Sequence, residues 1–171
     1  MDISTKLFFE DNLWIPQSKE EIYVVNAIRN CNAEGEFAKK IGQLRIATPE
    51  IITQNLSRFK EENYDMLIGY KKGDIIGNIT FQKHINSGSI SWKIFDYTIK
   101  KDYQGRGYCH DLTEKLIEIA RNKKTFMIKI GQPKINEREI FSKKLIEKIM
   151  EKEKILGISA DIKTHQISFI K

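Results

Sequence analysis

The sequence predicts a mixed α/β fold in which one sheet begins with antiparallel strands and then gains a parallel pair. Three observations carry this. Between residues 64 and 99, apolar positions alternate with period two in runs separated by turn residues. After Gly107 the apolar period changes to about 3.6, the repeat of a helix. A further β-rich run, TFMIKI at 125–130, follows that helix, and a strand–helix–strand crossover makes its two strands parallel.

The elements follow in order. Lys6 to Ile15 reads as a first short strand. Ser18, with Glu21 three places on, forms a capping box that starts a helix with Val24, Val25 and Ile28 on its apolar face. Gly35 and Gly42 then redirect the chain. Thr48 as N-cap and Pro49 at the first helical position open a second helix, with Ile51, Ile52, Leu56 and Phe59 along one side, ending before Asn63. MLIGY and IIGNITF, joined by Lys71-Lys72-Gly73-Asp74, form a hairpin. A second hairpin turn at His84 to Ser89 leads into SWKIFDYTIK. Strict alternation there puts Trp92, Ile94, Asp96 and Thr98 on one face and Phe95, Tyr97 and Ile99 on the other.

The helix after Gly107 runs to about Arg121, with Cys109, Leu112, Leu116 and Ala120 on one side and Ile117 and Ile119 close by. A long helix from Asn136 turns Phe141, Leu145, Ile149 and Met150 inward and Lys143, Lys144, Glu147, Lys148 and Glu151 outward, and Gly157 ends it. The tail 158–171 supplies one or two further strands. With 171 residues, no repeat, and prolines only at 16, 49 and 133 where elements begin or end, residues 1–171 are expected to form a single domain.

Composition excludes several classes. Forty per cent hydrophobic and thirty per cent charged residues suit a folded chain and not a disordered one. The net charge of +6 is spread along the chain, with lysine and glutamate intermixed as in EKIMEKEK; this pattern fits a solvated helix face, so no nucleic-acid partner is expected. No apolar run approaches a bilayer span, and the N-terminus lacks a basic region followed by an apolar stretch, so a cytoplasmic setting and no membrane partner are expected. Cys31 and Cys109 form no CxxC pair, and His84, His110 and His165 make no ligand set, so neither a disulfide nor a metal is expected.

The chemistry concentrates at Gln104-Gly105-Arg106-Gly107-Tyr108, between a strand and a helix. A helix N-terminus carries about half a positive charge and unpaired amides, which makes it an anion site. Gly105 and Gly107 allow close approach of a phosphate, Arg106 adds a charge-assisted contact, and Gln104 adds a neutral one. Neither the Walker ending nor the dinucleotide spacing GxGxxG is present.

At these residues the chain resembles the GNAT superfamily of acyl-CoA N-acyltransferases, whose signature Gln/Arg-x-x-Gly-x-Gly/Ala is matched by Gln104, Gly107 and, in its last small position, Cys109. The resemblance covers roughly residues 64–150. It implies a GNAT-like domain in which acetyl-CoA lies between two splayed parallel strands, Ile94 to Ile99 and Thr125 to Ile130. Backbone groups of Thr98 and Ile99 would hold the pantetheine arm, and Gln104, Gly105, Arg106, Gly107, Tyr108 and Cys109 the pyrophosphate. Asn136 matches an asparagine of the following helix. Cys109 reads as a small packed residue, not a nucleophile.

The implied activity is direct transfer of an acetyl group to a primary amine, a small molecule or a protein N-terminus. It needs no covalent enzyme intermediate. Asp96 is the candidate base. The tyrosine that serves relatives as acid, seven residues after the asparagine, is replaced here by Lys143, which leaves Ser142 as candidate. His110 reads as a structural residue. The run from Phe95 to Ala120 looks most like the branch that acts on ribosomal-protein termini, and the basic charge ranks a polycationic aminoglycoside lower. The acceptor pocket is expected between Glu34 to Ile46 and the C-terminal strands. A homodimer is compatible with this reading. The alternative is a non-catalytic acyl-CoA-binding or regulatory module.

Overall fold

The computed structural model describes residues 3–8, 11, 60–131 and 136–170, with positions 96 and 136–142 by backbone alone. The helices expected between Ser18 and Phe59 lie outside the described residues, as does Cys31. The described strands are β1 (Ser4–Leu7), β2 (Tyr64–Lys71), β3 (Asp74–Asn86), β4 (Ser89–Ile99), β5 (Thr125–Ile130), β6 (Ile158–Asp161) and β7 (Gln166–Phe169). Between them come α1 (Tyr108–Asn122), α2 (Asn136–Met150) and the single turn α3 (Glu153–Leu156). β1 begins and ends earlier than the sequence predicts.

All seven strands join one sheet in the order β1-β2-β3-β4-β5-β7-β6, and every neighbouring pair is antiparallel except β4–β5. The expected mixed sheet is therefore present. Two tight turns set its register. Lys72 and Gly73 between β2 and β3, and Ser87 and Gly88 between β3 and β4, all have positive φ. Two such residues make the primed turn whose twist matches an antiparallel pair.

The core lies between the sheet and α1. From β2, β3 and β4 come Leu67, Ile79, Phe81, Trp92 and Ile94; from α1 come Leu112, Leu116, Ile117 and Ala120, all essentially solvent-free. Each leucine or isoleucine so buried contributes about 1.5–3 kcal/mol. Phe81 and Trp92 stack with ring centroids 4.6 Å apart.

Strict alternation along β4 does not hold. Thr80 pairs with Asp96, but Phe81 pairs with Ile94, so Phe95 is an extra residue in β4. Such a bulge reverses which face each later residue occupies. Ile94 and Trp92 belong to the core, and Tyr97 and Ile99 pack against it on the same side. Positions 96 and 98 fall on the face away from α1, with their partners Thr80 and Asn78.

Two further expectations are corrected at the C-terminal end. α2 stops at Met150, whose side chain is exposed because the buried stripe is formed by Leu145, Ile146 and Ile149. Gly157, with φ 57°, caps α3 instead of the long helix. The tail makes two strands, and β7 inserts between β5 and β6.

Candidate functional site

The cleft arises where β4 and β5 stop pairing. β5 runs beside β4 only from Ile90 to Ile94, and the last bond between them is donated by the Gly131 amide to the Ile94 carbonyl at 2.8 Å. A Cβ at Gly131 would stand 2.7 Å from that carbonyl oxygen, so only glycine permits the approach. Immediately afterwards the Phe95 bulge bends β4, while β5 is held toward β7 by the Ile130 amide donating to the His165 carbonyl at 2.9 Å. From Phe95 to Ile99, β4 thus keeps β3 on one side and opens on the other.

Ladder geometry decides which backbone groups face that opening. The Lys100 amide donates to the Ile76 carbonyl at 2.8 Å. Bonded pairs alternate in an antiparallel ladder, so Thr98, two residues earlier, also directs its backbone groups to β3. Its carbonyl lies 2.2 Å from where a Cβ on Gly77 would be, which agrees with that direction. Tyr97 and Ile99 therefore direct their backbone groups away from β3 and into the cleft. The Ile99 carbonyl is met there by the Gln104 side-chain amide, which donates to it at 2.9 Å. Gln104 braces the loop against β4.

A short 3₁₀ turn at Lys101–Tyr103 leads into the glycine loop. Gly105 has φ 72° and Gly107 φ 83°, left-handed values that favour glycine. Gly107 is the N-cap of α1, and no side chain caps this helix start. Space beside Gly105 is open to 4 Å around a Cβ position, and Arg106 is exposed. The first amides of α1 point outward from a helix that carries its positive pole here, the arrangement that receives a phosphate. The residues present fit a pyrophosphate.

Tyr108 plays a different part from its neighbours. Its side chain is buried, its ring meets Tyr103 edge-on at 5.8 Å, and its hydroxyl accepts a hydrogen bond from Lys71 at the end of β2. The side chain anchors the loop to the sheet, leaving only its backbone to the anion site. Cys109 is half-buried, and its carbonyl accepts from Thr113 Oγ1 at 2.7 Å. Burial pushes the Tyr97 phenol far above its ordinary value, the neighbouring Thr113 hydroxyl offsets this in part, and Cys109 adds to it. Tyr97 stays protonated and cannot serve as a base.

Gln104 ties the loop to the end of β4 at Ile99, three residues beyond Asp96. Asp96 stands just after the bulge, opposite Thr80, by backbone position. Asn136 begins α2 and Ser142 lies in its second turn, placed likewise by backbone alone. His110 is tied to Glu114, Nδ1 to Oε1 3.1 Å, and Glu114 also receives Lys152, so this histidine belongs to a contact between α1 and the residue preceding α3.

Two residues at this end of the sheet escaped the sequence reading. Asn78 reads as an ordinary strand residue, yet it is buried opposite Thr98. His165 reads as a terminal turn residue, yet the insertion of β7 sets its buried side chain and left-handed backbone, φ 54°, at the end of β5. The only local hint was the polar interruption of IIGNITF. Among the described residues, no cluster of metal-ligating side chains occurs, and no helix is long and apolar enough to cross a membrane.

Comparison with known proteins agrees with this geometry. The model of the Acetyltransferase (GNAT) family matches residues 32–140. No match was found among curated protein sequences. Among solved structures, a GNAT-family structure from Desulfovibrio desulfuricans superposes with a TM-score of 0.60 at 12% identity, covering 94% of this chain and 87% of that one. An aminoglycoside acetyltransferase from an uncultured soil metagenomic sample, in complex with sisomicin, gives 0.59 at 14%, covering 84% and 86%. Glucosamine-6-phosphate N-acetyltransferase from Arabidopsis thaliana gives 0.52 at 9%, covering 85% and 90%. At these identities the superpositions establish the shared fold. With the family model spanning more than half of its length, the chain belongs to the GNAT acetyltransferase family.

Proposed function

We propose that the protein transfers an acetyl group from acetyl-CoA directly to a primary amine. The observation that carries this reading is the opening between β4 and β5 beside a helix start whose loop holds two left-handed glycines. The amides at Gly105 to Cys109 and the exposed Arg106 receive the pyrophosphate. Backbone groups of Tyr97 and Ile99, not those of Thr98, align the pantetheine arm along β4. Amides in that stretch also polarise the thioester carbonyl as negative charge develops on its oxygen.

Asp96, at the edge of the opening, takes the proton that the attacking amine must lose. Ser142 in α2 protonates the departing thiolate, with Asn136 at the start of that helix lining the donor site. Neighbours with this fold include an aminoglycoside acetyltransferase and a glucosamine-6-phosphate N-acetyltransferase, which supports a small primary amine as the acceptor class.

Thermal shift and thiol-release measurements on wild type, Arg106→Glu and Asp96→Asn test the reading together. At a hundredfold excess over its Kd, acetyl-CoA is expected to stabilise wild type by about 2.7 kcal/mol, and Arg106→Glu to need at least roughly tenfold more. Asp96→Asn is expected to keep that stabilisation and lose about a hundredfold in turnover. No stabilisation of wild type overturns the donor assignment; undiminished turnover in Asp96→Asn removes Asp96 as the base.

A further inference from the structure

The face of the sheet away from α1 carries three buried polar residues, Asn78, Thr80 and Thr98, whose side chains the reaction above does not use. Asn78 and Thr98 pair across β3 and β4, and Thr80 and Asp96 pair beside them. Cross-strand partners share a face, as do residues two apart, so positions 78, 80, 96 and 98 form a polar square on that face. Asn78, Thr80 and Thr98 are 2%, 2% and 4% exposed. Burial of this many polar groups is costly unless each is hydrogen-bonded. Asn78 Nδ2 donates to Thr80 Oγ1 at 3.3 Å, but Asn78 Oδ1 has no partner among the described residues. Turning the amide over would only exchange the two ends, since Thr80 meets just one of them.

This square sits beside the half of β4 that has lost β5. Asn78 is one strand spacing, about 5 Å, from the wall of the cleft. We infer that the unpartnered end of Asn78 receives an N–H of the acceptor, making Asn78 the residue that seats the attacking amine. The inference rests on the proposed acetyl transfer. It commits the site to an acceptor bound as a neutral amine.

The chemistry favours an amide at this position. A carboxylate here would stabilise the ammonium form and raise the amine's pKa, which removes the lone pair needed for attack. A neutral carbonyl oxygen accepts an N–H without that bias.

The test uses Asn78→Leu and Asn78→Asp in the full chain, with acetyl-CoA as donor and sisomicin, glucosamine 6-phosphate and an alanyl peptide as probes. An apolar isostere relieves a buried group that lacks its partner. Asn78→Leu without ligand is therefore expected to melt no lower than wild type and to keep the acetyl-CoA shift. Its kcat/KM for any probe that wild type accepts should fall at least roughly tenfold, chiefly through KM. Asn78→Asp should move the kcat/KM profile to higher pH, an effect that a merely structural role would not produce.

A lower melting temperature of unliganded Asn78→Leu overturns the inference, because Asn78 would then be holding the fold together. Unchanged kcat/KM in Asn78→Leu, or an unmoved pH profile in Asn78→Asp, overturns it too. Should wild type accept none of the probes, the melting arm still decides. Failure of wild type to gain stability from acetyl-CoA strikes the proposed function, and the melting of unliganded Asn78→Leu reads independently of it.

Discussion

Tyr97 illustrates how one residue's surroundings set its chemistry. It lies next to Asp96 in sequence, but the Phe95 bulge turns it toward α1, where burial raises its pKa. The folded protein therefore holds the phenolic proton where the unfolded chain, with an ordinary value of 10.0, begins to release it. A raised folded value means that this contribution is complete below pH 10 and is lost as pH rises further. Stability should fall by up to about 1.4 kcal/mol per pH unit above 10 from this group alone. Tyr97→Phe should flatten the alkaline decline while changing stability at pH 7 by no more than about 1 kcal/mol. Urea unfolding from pH 8 to 11 reads both; an equally steep decline in the variant would assign it to other groups.

At the scale of elements, the cleft depends on two neighbouring features that act in opposite directions. Gly131 lets β5 come close enough to β4 for a final backbone bond, and the bulge at Phe95 parts them directly beyond it. Gly131→Ala would drive a methyl group against the Ile94 carbonyl, a backbone atom that cannot swing away. A loss of about 1–3 kcal/mol is expected, as for other overpacked sites. Because the displaced segment borders the proposed donor site, acetyl-CoA affinity should fall as well. Urea midpoints and thermal shifts measure the two effects, and an unchanged affinity would uncouple the splay from donor binding. The loop is fastened at two points, by Gln104 to the adjoining end of β4 and by Tyr108 to Lys71 on β2.

For the whole molecule, charge is the property that no single residue explains. The net charge is +6, and Lys101 and Arg106 are exposed at the glycine loop. If the donor is a polyanion, this field aids its association and weakens with salt. Raising ionic strength from 0.05 to 0.5 M should therefore increase the acetyl-CoA Kd several-fold, by titration at constant pH; a salt-independent Kd would leave only short-range contacts. The same scale explains what was legible from the sequence. Hairpins, the glycine loop, α1 and the crossover to β5 rest on neighbours within a few residues, and their turn residues and periods signal them directly.

Face assignments along β4 were not legible, because a bulge depends on the register of two strands and a single extra residue inverts everything after it. The placement of His165 was hidden for a similar reason: β7 reaches β5 only by passing between it and β6. By itself, the sequence determined the mixed sheet and the glycine turn at the start of α1, both products of local periodicity and backbone freedom. Tertiary structure decided that the backbone groups of Tyr97 and Ile99, not those of Thr98, point away from β3 and that Asn78 lies buried one strand over. Those facts follow from long-range strand pairing, which no short stretch of residues encodes.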